Sequence, residues 1–217
     1  DKVSIYGGIV AMNRPLTAEV ARQMKPIFLE IVMAPSFEPE ALEVLASKKN
    51  LRLLEVTMDN VKAPQKQYVS VNGGMLVQDA DTECKEITAD MCVTERKPTE
   101  QELKELDFGW KIVKHVKSNA IVVVKDEATA GVGAGQMNRV GSAQIALEEA
   151  KAAGITEGLV LASDGFLPFG DTVELASKYG VTAIVQPGGS IRDEDSIRVA
   201  NEKGITMLFT GMRHFKH

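Results

Sequence analysis

The sequence predicts an α/β protein, a three-layer α/β/α sandwich built on one mostly parallel sheet. Short apolar runs typical of β-strands alternate with helical segments through the C-terminal half. Leu29–Val56 and Thr182–Thr210 share one order of strand, proline, polar loop, acidic helix start, helix and strand, which indicates an internal repeat. Polar or glycine-rich loops follow three consecutive strands near the C-terminus. An open α/β sheet forms a ligand crevice in this way.

The N-terminal part is predicted to hold three strands and two helices. Apolar runs indicate strands near Ser4–Met12, Glu30–Ala34 and Leu51–Thr57. Helical spacing indicates helices at Thr17–Met24 and Pro39–Lys48, the first with a threonine as its cap.

A two-stranded ribbon and a linker are predicted next. Tyr68–Gln78 alternates and is interrupted by two glycines, as in a ribbon of paired strands. The segment 79–97 is charged, carries both cysteines and shows little periodicity, so we predict a linker there. The predicted domains are therefore residues 1–78 and 98–217. The first copy of the repeat lacks the leading helix and β-β hairpin of the second, so we expect a missing half-domain before residue 1.

The second domain is predicted to follow the order α-β-β-α-β-α-β-α-β. Pro98-Thr99-Glu100 begins a long helix that runs to about Lys117. The remaining elements are predicted at Asn119–Lys125, Ala128–Gly135, Arg139–Ala153, Leu159–Ala162, Asp171–Lys178, Thr182–Val185, Asp193–Lys203 and Ile205–Thr210.

The composition is that of an ordinary soluble globular protein. The chain has 217 residues, of which 44% are hydrophobic and 25% charged, and a formal net charge of −5. This charge argues against a general nucleic-acid or membrane-surface role, because both need a basic surface. No apolar run approaches the ~20 residues that span a bilayer. Cys84 and Cys92 are the only cysteines, too few for a disulfide framework, so we expect a reducing, cytoplasmic location.

Three motifs at the start of the second domain each allow two interpretations. The glycines of Gly131–Gly135 could serve a nucleotide, but the spacing is not G-x-G-x-x-G, and a strand approached closely by another backbone is the alternative. Asn119 suits recognition of an amide or caps the preceding helix. Arg139 stands at a helix N-terminus, where a cation opposes the macrodipole, so it binds an anionic ligand or forms a surface ion pair.

The loops after the last three strands are the main candidate site. Asp164 lies between Ser163 and Gly165 at a strand end and is expected to face a site, whereas Asp171 either faces it or caps its helix. Phe166–Phe169 is an apolar loop that either packs internally or stacks on a heterocycle.

The two loops that follow leave similar alternatives. Gly188-Gly189-Ser190 opens a helix, where free amides bind anions or carbonyls, or it forms a tight turn. The terminus, Arg213–His217, contributes to a site or is a solvated tail. His115 lies within the predicted long helix and is expected to have a packing or surface role.

Several blocks together resemble a known family. They are SIYGGIVAMN (4–13), NGGMLVQD (72–79), VKSNAIVVV (116–124), GVGAGQMNR (131–139), QPGGSIRD (186–193) and FTGMRHFKH (209–217). These blocks resemble the transformylase region of the bifunctional purine-biosynthesis enzymes, which combine AICAR transformylase with IMP cyclohydrolase. The likeness covers essentially the whole chain in order.

The resemblance implies a fold and an activity. The transformylase region is two tandem copies of a cytidine-deaminase-like fold without zinc, and the first copy here would be incomplete at its N-terminus. Neither H-x-E nor P-C-x-x-C is present, so the zinc chemistry of deaminases is not expected. The family transfers a formyl group from 10-formyltetrahydrofolate to the 5-amino group of AICAR, in IMP biosynthesis. It acts as a homodimer with active sites shared across the interface.

The resemblance also implies roles for individual residues. Asn119 would contact the AICAR carboxamide region, Phe166 the base and Arg213 the phosphate. Arg139 would reach the nucleotide in the partner's site. The residues implied on the folate side are Val140, Asp171, Ser190 and Ile191. Asp164 matches a monovalent-cation site, with K⁺ as the candidate ion, and Gly8 stands where some relatives have an Asp that contacts AICAR.

The proton-transfer step is expected to lie outside this chain. The family's Lys-His pair is implied on a first-copy strand before residue 1, together with the cyclohydrolase domain. The AICAR amine is a weak nucleophile, so a base must remove its proton as the formyl carbon is attacked. His115, His214 and His217 do not match that base. We therefore expect the chain alone to be inactive; the alternative is a non-catalytic binding or assembly module completed by a second polypeptide.

Overall fold

A computed structural model describes residues 5–57 and 65–217. The described residues fall into two units, the first ending at Ala80 and the second running from Asp81 to His217. The first unit contains a parallel three-stranded sheet in the order β1-β2-β3. Its elements are β1 (Gly8–Ala11), α1 (Ala18–Met24), β2 (Leu29–Ala34), α2 (Pro39–Leu45) and β3 (Arg52–Glu55). The Thr17 hydroxyl accepts a hydrogen bond from the Val20 N–H and caps α1, as predicted. Ser4, where the first strand was predicted to begin, lies outside the described residues.

A β-hairpin ends the first unit. Strands β4 (Lys66–Val71) and β5 (Gly74–Asp79) are antiparallel, joined by a two-residue turn in which Gly73 has a φ of 81°. An Asn-Gly turn of this kind is typical of tight hairpins, so the predicted ribbon is confirmed. Every residue of both strands is exposed, including Tyr68 and Leu76.

The second unit has a five-stranded sheet in the order β10-β9-β8-β6-β7. Its elements are a 3-10 turn (Ala89–Met91), α3 (Glu100–Val113), β6 (Ile121–Lys125), β7 (Ala128–Gly133), α4 (Arg139–Ala152), β8 (Leu159–Ser163), α5 (Asp171–Lys178), β9 (Val181–Gln186), α6 (Asp193–Lys203) and β10 (Thr206–Phe209).

The sheet is mostly parallel, as predicted, with one strand reversed. Strands β8, β9 and β10 are parallel, but β6 runs antiparallel to both β7 and β8. The cause is the turn at Asp126 and Glu127, where both residues have a φ of 53°. Two successive residues with positive φ make the tight turn of an antiparallel hairpin, which reverses the chain direction.

Helices cover both faces of this sheet, so the second unit has three layers. Successive residues of a strand point to opposite faces. Ile121 and Val123 accordingly pack in the core on the side of α4, α5 and α6, whereas Val122 and Val124 pack with Trp110 on the side of α3.

The segment predicted as a linker, 79–97, does not behave as one. Asp79 ends β5, and from residue 81 the chain belongs to the second unit. Ile87 is buried in the α3 core, and Arg96 donates hydrogen bonds to the Glu102 carboxylate at 2.7 Å and the Thr182 carbonyl at 3.2 Å. Contacts with residues distant in sequence order this segment, and its local composition could not predict them.

Helix α3 begins where the sequence predicts and ends sooner. The Glu102 N–H donates to the Thr99 hydroxyl at 3.1 Å, and the Thr99 N–H donates to the Glu102 carboxylate at 2.8 Å, which is a capping box. The helix ends at Val113 rather than near Lys117.

None of the helices in the described part of the chain has the length and apolar character that a membrane-spanning helix requires.

Candidate functional site

Three loops of the second unit meet at the carboxyl ends of β8, β9 and β10. We call this place the carboxyl edge; it comprises residues 164–170, 187–192 and 210–217. The Arg213 guanidinium lies over the Phe166 ring, 4.9 Å from its centroid. Its Nη2 atom lies 3.7 Å from the position that a Cβ on Gly189 would occupy. Arg213, from the third loop, therefore contacts the first loop and approaches the second. The three loops lie together at this edge, and a common ligand pocket between them stays a prediction.

Asp164 is the buried centre of this edge. Its side chain is fully buried and pairs with the Arg139 guanidinium. The carboxylate also accepts hydrogen bonds from the Ser118 hydroxyl at 2.5 Å and the Ala120 N–H at 3.1 Å. Its main-chain carbonyl accepts from the His214 N–H at 3.1 Å. Asp164 therefore connects β8 to the start of β6, to α4 and to the C-terminal segment.

The ion pair with Asp164 explains why Arg139 stands at a helix N-terminus, and it also involves the residue of the implied cation site. Arg139 has an anionic partner within its own chain, and that partner is buried, so the pair is not a surface ion pair. The Asp164 charge is compensated by a guanidinium, and its oxygens accept from three protein groups. The Asp164 carboxylate is thus engaged by protein donors in this arrangement, and the monovalent-cation site, which also relies on backbone oxygens near the terminus, stays a prediction. Among the described residues, no group of three or more His, Cys, Asp or Glu is placed to hold a metal ion.

Asn119 joins β6 to the loop before α4. Its backbone N–H and its side-chain Nδ2 both donate to the Gln136 carbonyl, at 3.3 and 2.8 Å. Its own carbonyl accepts from the Ser142 hydroxyl at 2.6 Å. The helix-cap alternative is wrong, because α3 ends at Val113. Asn119 thus lies beside the N-terminus of α4, where Arg139 and the half-buried Val140 begin the helix.

The glycine run before α4 is explained by packing. A Cβ on Gly133 would lie 1.9 Å from the Ser142 carbonyl oxygen, and a Cβ on Gly131 would lie 1.9 Å from that of Ala146. Real Cβ atoms do not approach so closely, so β7 needs glycine to lie against the backbone of α4. The close-backbone interpretation is confirmed and the nucleotide alternative is not needed.

The loop at Gly188–Ser190 is a tight turn rather than a set of free amides. The Asp193 carboxylate accepts from the Gly189 and Ser190 N–H groups at 2.7 and 3.1 Å. The Gly188 N–H donates to the Gln186 side-chain carbonyl at 3.1 Å. Gly188 and Gly189 have φ values of 69° and 88°, which favour glycine. The prediction of free amides at this helix start is therefore wrong, because an acidic residue one turn later binds them.

Asp171, one of the residues implied on the folate side, lines a surface groove. Asp171 is the first residue of α5, and Gly170 is the N-cap, so Asp171 is not the cap. A groove of about 270 Å³ separates the start of α5 from α6. Its lining residues are Phe169, Gly170, Asp171, Glu174, Arg192, Asp195, Arg198 and Val199. Ile191, next to this groove, is fully exposed.

The C-terminal segment is held in place, which overturns the solvated-tail alternative. The Ser118 N–H donates to the Lys216 carbonyl at 2.8 Å, and the Lys216 N–H donates to the Ser118 hydroxyl at 2.9 Å. The His214 side chain is fully buried and contacts Asp81 through Nδ1 at 2.6 Å. Arg213 and Phe215, on either side of it, are exposed.

Basic residues that the sequence interpretation missed stand at the same edge. The Lys85 ammonium donates to the Thr210 carbonyl at 2.9 Å. The Lys114 ammonium donates to the Glu83 carbonyl at 2.5 Å. Burial lowers the pKa of His115, and the positive charges of Lys114 and Lys216 lower it further. Lys85 and Lys216 thus place positive charge where the three loops meet, although the chain has a net negative charge. No local sequence signal reveals this placement.

The first unit has a cavity at its own carboxyl ends. It measures about 540 Å³ and is lined by Ala11, Met12, Asn13, Arg14, Met33 and Val56. At Gly8, a Cβ would lie 2.8 Å from the Ile5 carbonyl oxygen. An aspartate at this position would therefore need a different local backbone.

Comparison with known proteins identifies the family. Residues 1–149 match the model of a family described as the AICARFT/IMPCHase bienzyme. The chain belongs to this family. It is 59% identical over all 217 residues to the bifunctional purine biosynthesis protein PurH of Bacillus cytotoxicus, and 58% identical to PurH of Bacillus thuringiensis and of Bacillus anthracis. In each case it spans 42% of the relative's length. The family membership expected from the sequence motifs is confirmed.

Proposed function

We propose that the protein takes part in formyl transfer from 10-formyltetrahydrofolate to the 5-amino group of AICAR, and that this chain supplies much of the nucleotide and folate pocket. The observation that carries the proposal is the meeting of Arg213 with Phe166 at the carboxyl edge, in a chain that belongs to the AICARFT/IMPCHase family. A nucleotide offers a flat heterocycle and a phosphate, and this pair offers an aromatic face and a guanidinium.

The nucleotide is proposed to lie with its base against Phe166 and its phosphate on Arg213. Arg213 is exposed and has no acidic partner among the described ion pairs, so its donors are open to an anion. Lys85 and Lys216 add positive charge at the same edge, which favours the approach of a phosphate. Asn119 uses one amide donor on Gln136, and the other donor and the acceptor suit a carboxamide.

The folate is proposed to lie on the side of Asp171, Ser190 and Ile191. Support comes from the groove at Asp171 and from the fully exposed Ile191 side chain, which offers apolar surface to a heterocyclic ring. Val140 is included because it lies one residue from Arg139 in the first turn of α4.

A homodimer with shared sites belongs to the same proposal. The hairpin of the first unit exposes apolar side chains on both faces, and an isolated two-stranded ribbon is marginal in water, so a second copy of the chain is proposed to cover it. Arg139 would serve the partner's nucleotide. Its pair with Asp164 uses Nη1, and a guanidinium has further donors.

The fold is proposed to be two tandem cytidine-deaminase-like copies. Both units contain β-α-β-α-β with three parallel strands adjacent in chain order, as the repeat between Leu29–Val56 and Thr182–Thr210 predicts.

The base that deprotonates the AICAR amine is proposed to come from the Lys-His pair of the family, outside these residues. The chain alone should then bind both substrates without transferring the formyl group.

Calorimetric titration with AICAR tests the proposal. Replacing Arg213 by Ala removes a charge-assisted contact of about 2–3 kcal/mol, so AICAR affinity should fall by roughly two orders of magnitude. Arg22→Ala, at an exposed site in the last turn of α1, is the matched control and should change nothing. Equal affinities for the two variants would remove Arg213 from the phosphate role. Formyl transfer by the chain alone at the rate of a full-length relative would contradict the assignment of the base.

A further inference from the structure

The C-terminal segment contains a buried histidine to which the proposed function assigns no role. Along Arg213-His214-Phe215 the side chains alternate: the first and third are exposed and the second is fully buried. Alternation is the property of an extended chain. A slip of one residue would therefore turn Arg213 into the core, so the burial of His214 decides which way Arg213 faces.

The imidazole is held on two sides. Its ring centroid lies 4.8 Å from that of Trp110, a fully buried residue of α3. Its Nδ1 atom lies 2.6 Å from the Asp81 carboxylate. The Lys114 ammonium is also within ion-pair distance of Asp81, at 3.6 Å. The ring thus ties the end of the chain to α3 and to the beginning of the second unit.

An apolar side chain would fill this space at less cost. The His214 Nε2 atom is buried and has no hydrogen-bond partner among the described residues, and burying such an atom is unfavourable. The contact of Nδ1 with the Asp81 carboxylate offsets this cost. It fixes the position of the ring more specifically than apolar packing alone would.

We propose that His214 is a positioning residue for nucleotide binding, which acts through Arg213 by holding the C-terminal segment in the register that presents the guanidinium to the site. The inference rests on the proposed function. Two sets of hydrogen bonds hold the backbone of this segment: the His214 N–H donates to the Asp164 carbonyl, and the Lys216 main chain bonds to Ser118. The buried His214 ring then determines that the Arg213 side chain faces the site.

A double-mutant cycle tests this role by AICAR titration of the wild type, His214→Leu, Arg213→Ala and the double variant. Leucine fills the space but cannot bind Asp81. His214→Leu should weaken AICAR binding by about tenfold, within the range of coupled neighbours, and leave the affinity for a folate analogue unchanged. In the Arg213→Ala background the same substitution should weaken AICAR binding less than about twofold.

Other results overturn the proposal. Equal losses for AICAR and the folate analogue, or a tenfold loss that persists without Arg213, would make His214 a general structural residue, and so would unchanged AICAR binding. His214→Asn, whose amide can donate to Asp81, should restore affinity to within about threefold of the wild type, and it serves as the test if the leucine variant does not fold. If Arg213→Ala itself leaves AICAR binding unchanged, the proposed function fails; if only the His214 variants do, this inference alone fails.

Discussion

Removal of the Asp164 carboxylate should be among the most damaging single changes to the second unit. The side chain is fully buried and its partner Arg139 is 15% exposed. Breaking such a pair from one side leaves a largely buried, uncompensated charge and typically costs about 3–5 kcal/mol. Alanine at this position also leaves the Ser118 hydroxyl and the Ala120 N–H without their acceptor. We therefore expect the upper part of that range, about 4–5 kcal/mol, for Asp164→Ala.

Asparagine at position 164 removes the negative charge but keeps a hydrogen-bond acceptor, so it distinguishes the two contributions. Its side-chain oxygen can still accept from the Ala120 N–H, so Asp164→Asn should lose mainly the attraction to Arg139, about 3 kcal/mol, the lower end of that range. The matched control is Glu202→Gln, which breaks the ion pair with Arg198 in α6. Both members of that pair are more than half exposed, and exposed pairs contribute at most about 1 kcal/mol.

Urea unfolding followed by tryptophan fluorescence measures these differences. Trp110 is the single tryptophan of the sequence and is buried in the second unit, so its emission reports on the unit that contains Asp164. With a urea dependence of about 2 kcal/mol per M, Asp164→Ala should lower the unfolding midpoint by about 2 M. A change no larger than that of Glu202→Gln would refute the burial argument. Additive effects of Asp164→Asn and Arg139→Met would show that the two side chains are not coupled.

Two further predictions concern packing and pH. Gly133→Ala should lower the free energy of unfolding by about 3 kcal/mol, because its Cβ would lie 1.9 Å from the Ser142 carbonyl oxygen. The control is Gly74→Ala, which has open space around it and should change the free energy of unfolding by less than about 0.5 kcal/mol. Thermal unfolding followed by circular dichroism measures both variants. Burial alone would raise the pKa of Glu102, but hydrogen bonds from Arg96 and Thr99 hold it below its ordinary value of 4.5. A carboxyl with a lower pKa in the folded state stabilises above the unfolded pKa, and this stabilisation is lost as the pH falls through the folded pKa. Stability should therefore drop below about pH 4.5, and Glu102→Gln, which can keep the capping box, should flatten that drop in urea unfolding measured from pH 3 to 7. An unchanged slope would show that Glu102 does not titrate as described.

Most elements of the fold could be predicted because their signals are local. Helix starts depend on residues within one turn, as Thr17 and Thr99 show, and the glycines of β7 mark a close approach whichever helix makes it. The order of the strands across the sheet could not be predicted, since an apolar run such as Ile121–Lys125 does not show which strand will lie beside it. Residues 81–97 were misjudged for a related reason, because they are ordered by contacts far away in sequence.

The candidate site divides in the same way. The convergence of three loops follows from sequence, because the carboxyl ends of adjacent parallel strands share one edge of a sheet. The hydrogen-bond and ion-pair partners of each polar group at this edge could not be predicted from the sequence. The Asp193 carboxylate accepts hydrogen bonds from the amides that one of the two interpretations left free, and the Asp164 carboxylate pairs with Arg139.

The sequence by itself determined the order of the elements, the repeated β-α-β-α-β arrangement and the edge of the sheet where the candidate site lies, since all three depend on periodicity and on short-range chemistry. Only the tertiary structure decided which charges are compensated and which remain open. Arg139 and Asp164 are 25 positions apart, and His214 and Asp81 are 133 apart. The physical reason is that the energy of a charge depends on what surrounds it in space, and chain folding alone brings those surroundings together.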